Sequence, residues 1–206
     1  LTTTDRAGQR DWQRGEVLRD PVFWLLLVGV LAPPFVGTTI FYHQDYLTDL
    51  RGWSPQHYAR ALSLAAVTTV CFALICGALV DRVRATAILP YFLLPLGASC
   101  FILAIDGAPE LLYLVMFLLG IAYGLSSTLF GALWPELYGV THLGAIRSVT
   151  VSAAVLATAA GPGITGSLID LGIPVPQQMT WIGAYCLMAA LVMTVAAAFL
   201  GRRRFT

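Results

Sequence analysis

The chain has 206 residues, of which 58 % are hydrophobic and only 11 % charged, and it contains no Lys and no Asn. A soluble domain carries about a quarter of its residues charged, so this composition excludes an ordinary water-soluble surface. The formal net charge of +1 excludes little by itself; the distribution of the charges excludes much more.

Residues 1–20 are polar, with Arg6, Arg10, Arg14 and Arg19 alternating with Asp5, Asp11, Glu16 and Asp20. They lack the short apolar core and the cleavage-like end of a targeting peptide. They read as the end of a linker, in a chain expected to be an excised or processed part of something longer. Pro21 then suits a first helical turn, where its missing N–H is no loss. A bilayer core about 30 Å thick needs roughly 20 helical residues. Six apolar segments meet that length, at about 22–43, 58–80, 85–105, 111–134, 148–169 and 179–200. The expected layout is a linker over 1–20, an all-α six-transmembrane-helix bundle over 21–201, and a tail over 202–206.

The first span contains Pro33 and Pro34, which remove two backbone donors near mid-membrane and predict a kinked or opened helix. Such a break is tolerated only against protein or a water-filled cavity, so this span should line something. Gln44 to His57 reads as a polar loop. Ser54-Pro55 reads as a cap opening the second span, where Arg60 either snorkels to the headgroups or points into a cavity. Gly77 to Arg84 is a tight charged loop, and Pro90 and Pro95 are kink positions in the third span. After a short loop over Asp106 to Glu110, the fourth span presents Gly120, Gly124, Ser126, Ser127 and Gly131. Small residues at this spacing let helices approach closely. Pro135 to Arg147 suggests a short interfacial helix broken at Gly139, and Trp134 suits an interface anchor. Gly161 and Pro162 predict a further helix break in the fifth span, and the sixth ends at Gly201-Arg202-Arg203-Arg204.

Six spans put both ends of the chain on one side. That side holds ten arginines (Arg6, Arg10, Arg14, Arg19, Arg82, Arg84, Arg147 and Arg202 to Arg204), against Arg51 and Arg60 on the other. The positive-inside rule then makes the termini and the Gly77–Arg84 loop cytoplasmic in a multi-pass cell-membrane protein.

Other chemistry is poorly represented. Cys71, Cys76, Cys100 and Cys186 lie inside apolar segments as packing residues, and no His, Cys or carboxylate spacing suits a metal. No glycine loop with its lysine cradles a phosphate, and no serine sits in a nucleophile elbow, so neither an enzyme nor a bound cofactor is expected. The basic residues are scattered and juxtamembrane, which argues against nucleic-acid binding. Movement of a solute, or a structural or receptor role, remains.

The loop Gly77-x-x-x-Asp81-Arg82-x-Arg84 between a second and a third span resembles the cytoplasmic loop motif in the second half of major facilitator superfamily transporters. Glu16 to Trp24 resembles the start of their seventh helix. Gly161 to Gly172 resembles the end of their eleventh, in monocarboxylate and oxalate/formate-like branches. The resemblance covers residues from about 15 to 200. It implies that the spans are helices seven to twelve, the C-terminal half of the major facilitator fold, and that the partners are the lipid bilayer and an N-terminal six-helix half. It also implies alternating access around a midplane cavity, carrying a small organic solute, with a monocarboxylate the class it suggests, by proton-coupled symport or exchange. A scaffold or sensor on the same fold and a multidrug-type exporter are the alternatives.

Asp81, at a helix end, is placed to bond a neighbouring helix N-terminus and to pair with Arg147. The resemblance makes it a latch for the outward-facing state, against the plainer reading of a hydrated loop aspartate. Gly77 belongs to the same motif, and Arg82 and Arg84 suit both topology charges and latch partners. For the solute pathway, Thr38, Tyr42 and His43 can share a helix face. His43 suits either an interface residue or a carrier of a coupling proton. Arg60 would attract an anion from the cavity, and Tyr123, Ser126 and Ser127 offer hydroxyls beside small residues. No basic residue lies deep in the fifth span, so a dianion held by central positive charges is not expected.

Overall fold

The computed structural model describes residues 11–105 and 107–203, and these residues form helices, turns and short connections without a strand. After a single turn, α1 (Arg14–Val17), Asp20 caps α2 (Pro21–Val30) by accepting the Val22 N–H at 3.1 Å. Leu31 separates α2 from α3 (Ala32–Tyr42). The Val30 carbonyl at this step has Pro33 and Pro34 as its third and fourth neighbours, and neither can donate a hydrogen bond to it.

Gln44–Arg51 forms a helix, α4, where a loop was expected. It follows α3 after His43 alone and ends at Gly52, whose φ of 62° is the left-handed geometry glycine adopts most readily. Ser54 then caps α5 (Pro55–Val80) by accepting from the His57 N–H.

The third apolar segment departs most from expectation. It forms α6 (Ala85–Ile88), a turn, and α7 (Leu94–Ala104) rather than one long helix. Pro90 and Pro95 deny the carbonyls of Thr86 and Tyr91 their helical donors, and the Leu94 N–H closes a tighter turn onto Tyr91 instead, at 3.1 Å. Among the described residues, five helical stretches are therefore long and apolar enough to cross a membrane, with α2 and α3 taken together as the first: Pro21–Tyr42, Pro55–Val80, Leu111–Tyr138, Leu143–Asp170 and Val175–Gly201.

No separate interfacial helix follows the fourth span. α8 (Leu111–Tyr138) continues through Pro135 and ends at Gly139, whose φ is 82°. Its last turn is held by side chains: Trp134 stacks on Tyr138, and the Tyr138 hydroxyl donates to Asp20 at 3.2 Å. α9 (Leu143–Asp170) runs unbroken through Gly161 and Pro162, so the break expected there is absent. Pro162 removes one hydrogen bond from a helix of 28 residues, and Gly161 is pinned where α9 meets α3, its would-be Cβ 2.7 Å from the Phe35 carbonyl oxygen. α10 (Val175–Arg203) closes the chain.

Three close helix pairs organise the bundle: α5 lies along α8, α10 along α7, and α9 along α3, while α10 also covers α2. The α5–α8 seam is a backbone-to-backbone contact. A Cβ on Gly120 would lie 2.6 Å from the Ala65 oxygen, and one on Gly124 2.5 Å from the Thr69 oxygen. In lipid, such packing replaces the hydrophobic drive that assembles soluble helices. Phe23, Phe92, Leu96, Met116, Leu119 and Met193 fill the interior, and Cys76, Cys100 and Cys186 are buried free thiols.

Contacts identify the two ends of the bundle. At one, Glu136 accepts from the Ala85 N–H at 2.8 Å and Asp20 meets Tyr138. At the other, Arg51 Nη2 donates to the Leu103 carbonyl at 2.9 Å. The broken segment α6–α7 thus carries the chain from one end to the other. Of the charges counted above, Asp5, Arg6, Arg10, Asp106 and Arg204, with the side chains of Arg202 and Arg203, lie outside the described residues.

Candidate functional site

A half-open cleft of about 310 Å³ lies between the α2–α3 step, α8 and α9. Val30, Pro33 and Pro34 form its first wall, Tyr123, Ser126, Ser127, Phe130 and Trp134 its second, and Arg147, Thr150, Val151 and Ala154 its third. The walls meet here because each helix gives way to its neighbour. The two prolines divide the first span, and Gly37 leaves the space that the Tyr123 hydroxyl fills, since a Cβ there would overlap it.

The hydroxyl hydrogens of the cleft are spent on backbone carbonyls. Ser126 donates to Ala122 at 2.6 Å, Ser127 to Gly124 at 3.0 Å, Thr150 to Arg147 at 3.0 Å and Tyr123 to Pro33 at 3.2 Å. Their oxygens keep lone pairs, and the Val30 carbonyl has no helical donor. The hydroxyls and carbonyls of the lining are therefore acceptors, Trp134 adds an indole N–H, and Arg147 brings the only formal charge of the lining, with five N–H donors. It has no carboxylate partner among the described residues. A single anionic group with an apolar body is the complement of such a lining.

The structure divides the expected site residues. Tyr123, Ser126 and Ser127 line the cleft beside Pro33 and Pro34. Thr38 does not; its hydroxyl donates to the Pro34 carbonyl at 2.7 Å. Tyr42 is 73 % exposed, whereas the next residue, His43, is buried with its Nδ1 3.0 Å from the Thr39 carbonyl. That contact requires a proton on Nδ1, and Nε2 lies on the side of α9, towards Gly166. Arg60 is exposed and lines no part of the cleft. None of Thr38, Tyr42 and His43 thus lines this cleft.

The expected Asp81–Arg147 pair is not formed. Asp81 is an exposed residue capping the end of α5, beside exposed Arg82 and Arg84, while Arg147 is one turn into α9 and lines the cleft. The physical reason is the pairing of helices: α5 rides on α8 and α9 on α3. Gly77 sits opposite Thr128 in the α5–α8 seam, its would-be Cβ 3.9 Å from the methyl group. The acid that does hold the third segment is Glu136, whose Oε2 accepts from the Ala85 N–H. Trp134 is buried against Phe23 and Tyr138 and lines the cleft, instead of anchoring at an interface. No local pattern marks Glu136 or Trp134 for these roles, because both depend on partners far away in the chain.

The sequence model of the Major Facilitator Superfamily matches residues 25–206. No curated protein matches the chain.

Proposed function

Because the chain belongs to the major facilitator superfamily, whose fold is that of a membrane transporter and not of an enzyme, we propose that it is the C-terminal half of a secondary carrier for a small organic monoanion. The observation that carries this reading is the Arg147 guanidinium, without a carboxylate partner among the described residues, in a half-open and otherwise uncharged cleft between the α2–α3 step, α8 and α9. A monocarboxylate supplies one charge for Arg147 and an apolar body for Phe130 and Trp134. The acceptor-rich remainder of the lining disfavours a second anionic group.

In this reading α6–α7 is a sixth, broken crossing, and the six correspond to helices seven to twelve. The end carrying Asp20, Glu136 and Ala85 faces the cytoplasm, by the positive-inside rule. An N-terminal six-helix half closes the open side of the cleft and rocks against this one. The exposed apolar faces of α5 and α9, with Val67, Val70 and Leu74 on one and Val151, Val155 and Leu156 on the other, suit contact with that half. Asp81, Arg82 and Arg84 form the latch towards it, and His43 Nε2 takes the coupling proton.

The test uses the full-length transporter in proteoliposomes, with acetate, lactate and benzoate compared with benzylamine and benzyl alcohol, with and without a pH gradient. A monocarboxylate should accumulate when the outside is acid, and Arg147→Gln should lower its uptake about tenfold, the scale of one lost charge-assisted hydrogen bond. Equal uptake by Arg147→Gln, or transport of the amine alone, would overturn the reading.

A further inference from the structure

The segment ahead of α2 is fastened to the connection between α8 and α9. Asp11 Oδ1 accepts from the N–H groups of Val140 at 3.0 Å and Thr141 at 3.3 Å, and its Oδ2 from the Thr141 hydroxyl at 2.6 Å. The next residue, Trp12, donates its N–H to the Tyr138 carbonyl at 3.0 Å and sets its ring edge-on to Tyr138 at 5.6 Å. Gly139 makes room for this fastening, since a Cβ there would lie 2.0 Å from Asp11 Oδ1.

The fastened connection joins the two charged and aromatic walls of the cleft. Upstream, Tyr138 stacks on Trp134 with centroids 6.3 Å apart and planes 14° from parallel. Downstream, α9 begins at Leu143 and brings Arg147 to the cleft one turn later. An acid with three donors on one connection fixes both the direction in which α9 leaves it and the last turn of α8.

We propose that Asp11 and Trp12 are positioning residues for the cleft: by clasping Tyr138 to Thr141 they set where the Arg147 guanidinium and the Trp134 ring stand relative to one another. Releasing the clasp lets the α9 start swing and withdraws the positive charge from the cleft. The inference rests on the reading of this cleft as an anion site, but its test is independent of which solute is carried.

The full-length protein is prepared with Cys71→Ser and Ser127→Cys, which places one accessible thiol in the cleft. Its reaction rates with anionic ethylsulfonate and cationic trimethylammonium methanethiosulfonates are compared. Arg147→Gln should lower the anion-to-cation rate ratio several-fold, as expected of one charge in the same cleft acting on reagents two charge units apart. Asp11→Ala and Thr141→Val should lower it towards the Arg147→Gln value while Cys76, Cys100 and Cys186 stay unreactive. If Arg147→Gln lowers the ratio and the clasp variants leave it at the parent value, the positioning role is overturned. If Arg147→Gln itself has no effect, the anion-site reading fails instead. Should Asp11→Ala expose the buried thiols, Thr141→Val, which removes a single exposed hydroxyl, decides between the two outcomes.

Discussion

Ala85 is fully buried at the start of the third segment, so its N–H needs an acceptor that water cannot supply. Glu136 supplies it from α8, 51 residues away, and reaches the Thr86 hydroxyl as well at 3.4 Å. Replacing Glu136 by Ala leaves these donors without their acceptor, and the full-length protein in detergent should lose about 1–3 kcal/mol of stability. Glu136→Gln keeps one acceptor oxygen and should lose less. Equal thermal midpoints for parent, Gln and Ala variants would remove Glu136 from this role. Asp11 makes a second testable contact at the same end. The Thr141 hydroxyl and N–H, with smaller help from Val140 and His142, hold its carboxyl below the ordinary value of 3.8. A depressed acid contributes its full stabilisation above the unfolded value and loses it as pH falls through the folded one. The clasp should therefore be intact at neutral pH and open only under acid conditions below about pH 4. Hydrogen exchange at the amides of Val140 and Thr141 should stay slow down to that range and quicken beneath it; quickening at pH 6 would exclude Asp11 as the cause.

Packing of whole elements turns on which small residues face a neighbouring backbone. Gly120 and Gly124 sit against main-chain atoms of α5 that cannot move aside, whereas Gly131, on the same helix, has nothing within 4 Å of its would-be Cβ. Gly124→Ala should destabilise the full-length protein by about 1–3 kcal/mol, as overpacking does. Gly131→Ala should be neutral or stabilising by up to about 1 kcal/mol, since Ala is the better helix former. Similar melting for both variants would show that α5 and α8 do not meet through this seam. The small-residue face was legible in the sequence, because spacing alone puts these glycines on neighbouring turns; which of them carries the contact was not. The same division holds elsewhere. Pro90 and Pro95 mark a weak helix, but only the alternative bond from Leu94 to Tyr91 turns the kink into two separate helices. Pro162 carries the same local signal and leaves α9 whole. Polarity alone marks Gln44–Arg51 as a loop, yet eight residues ending at glycine suffice for the short helix α4.

At the scale of the whole molecule, length, hydropathy and arginine distribution make the membrane bundle legible. The site was harder to read because it joins Pro33, Tyr123 and Arg147, which share no local pattern. Arg147 shows this best: its position just after a polar connection suggests a latch with Asp81, while the pairing of α9 with α3 brings it to the cleft. Under the proposed function the two residues then act separately on the conformational balance of the full-length protein, one through an exposed loop and the other through the cleft. Inward and outward accessibility can be measured in the full-length protein for Asp81→Asn, Arg147→Gln and the double variant. Distant sites without shared partners add to within about 0.5 kcal/mol, so the double variant should show the sum of the single shifts. A coupling of more than about 1 kcal/mol would mean that Asp81 and Arg147 meet in another state of the cycle. That outcome would return Arg147 to the latch and leave the cleft without its charge in that state.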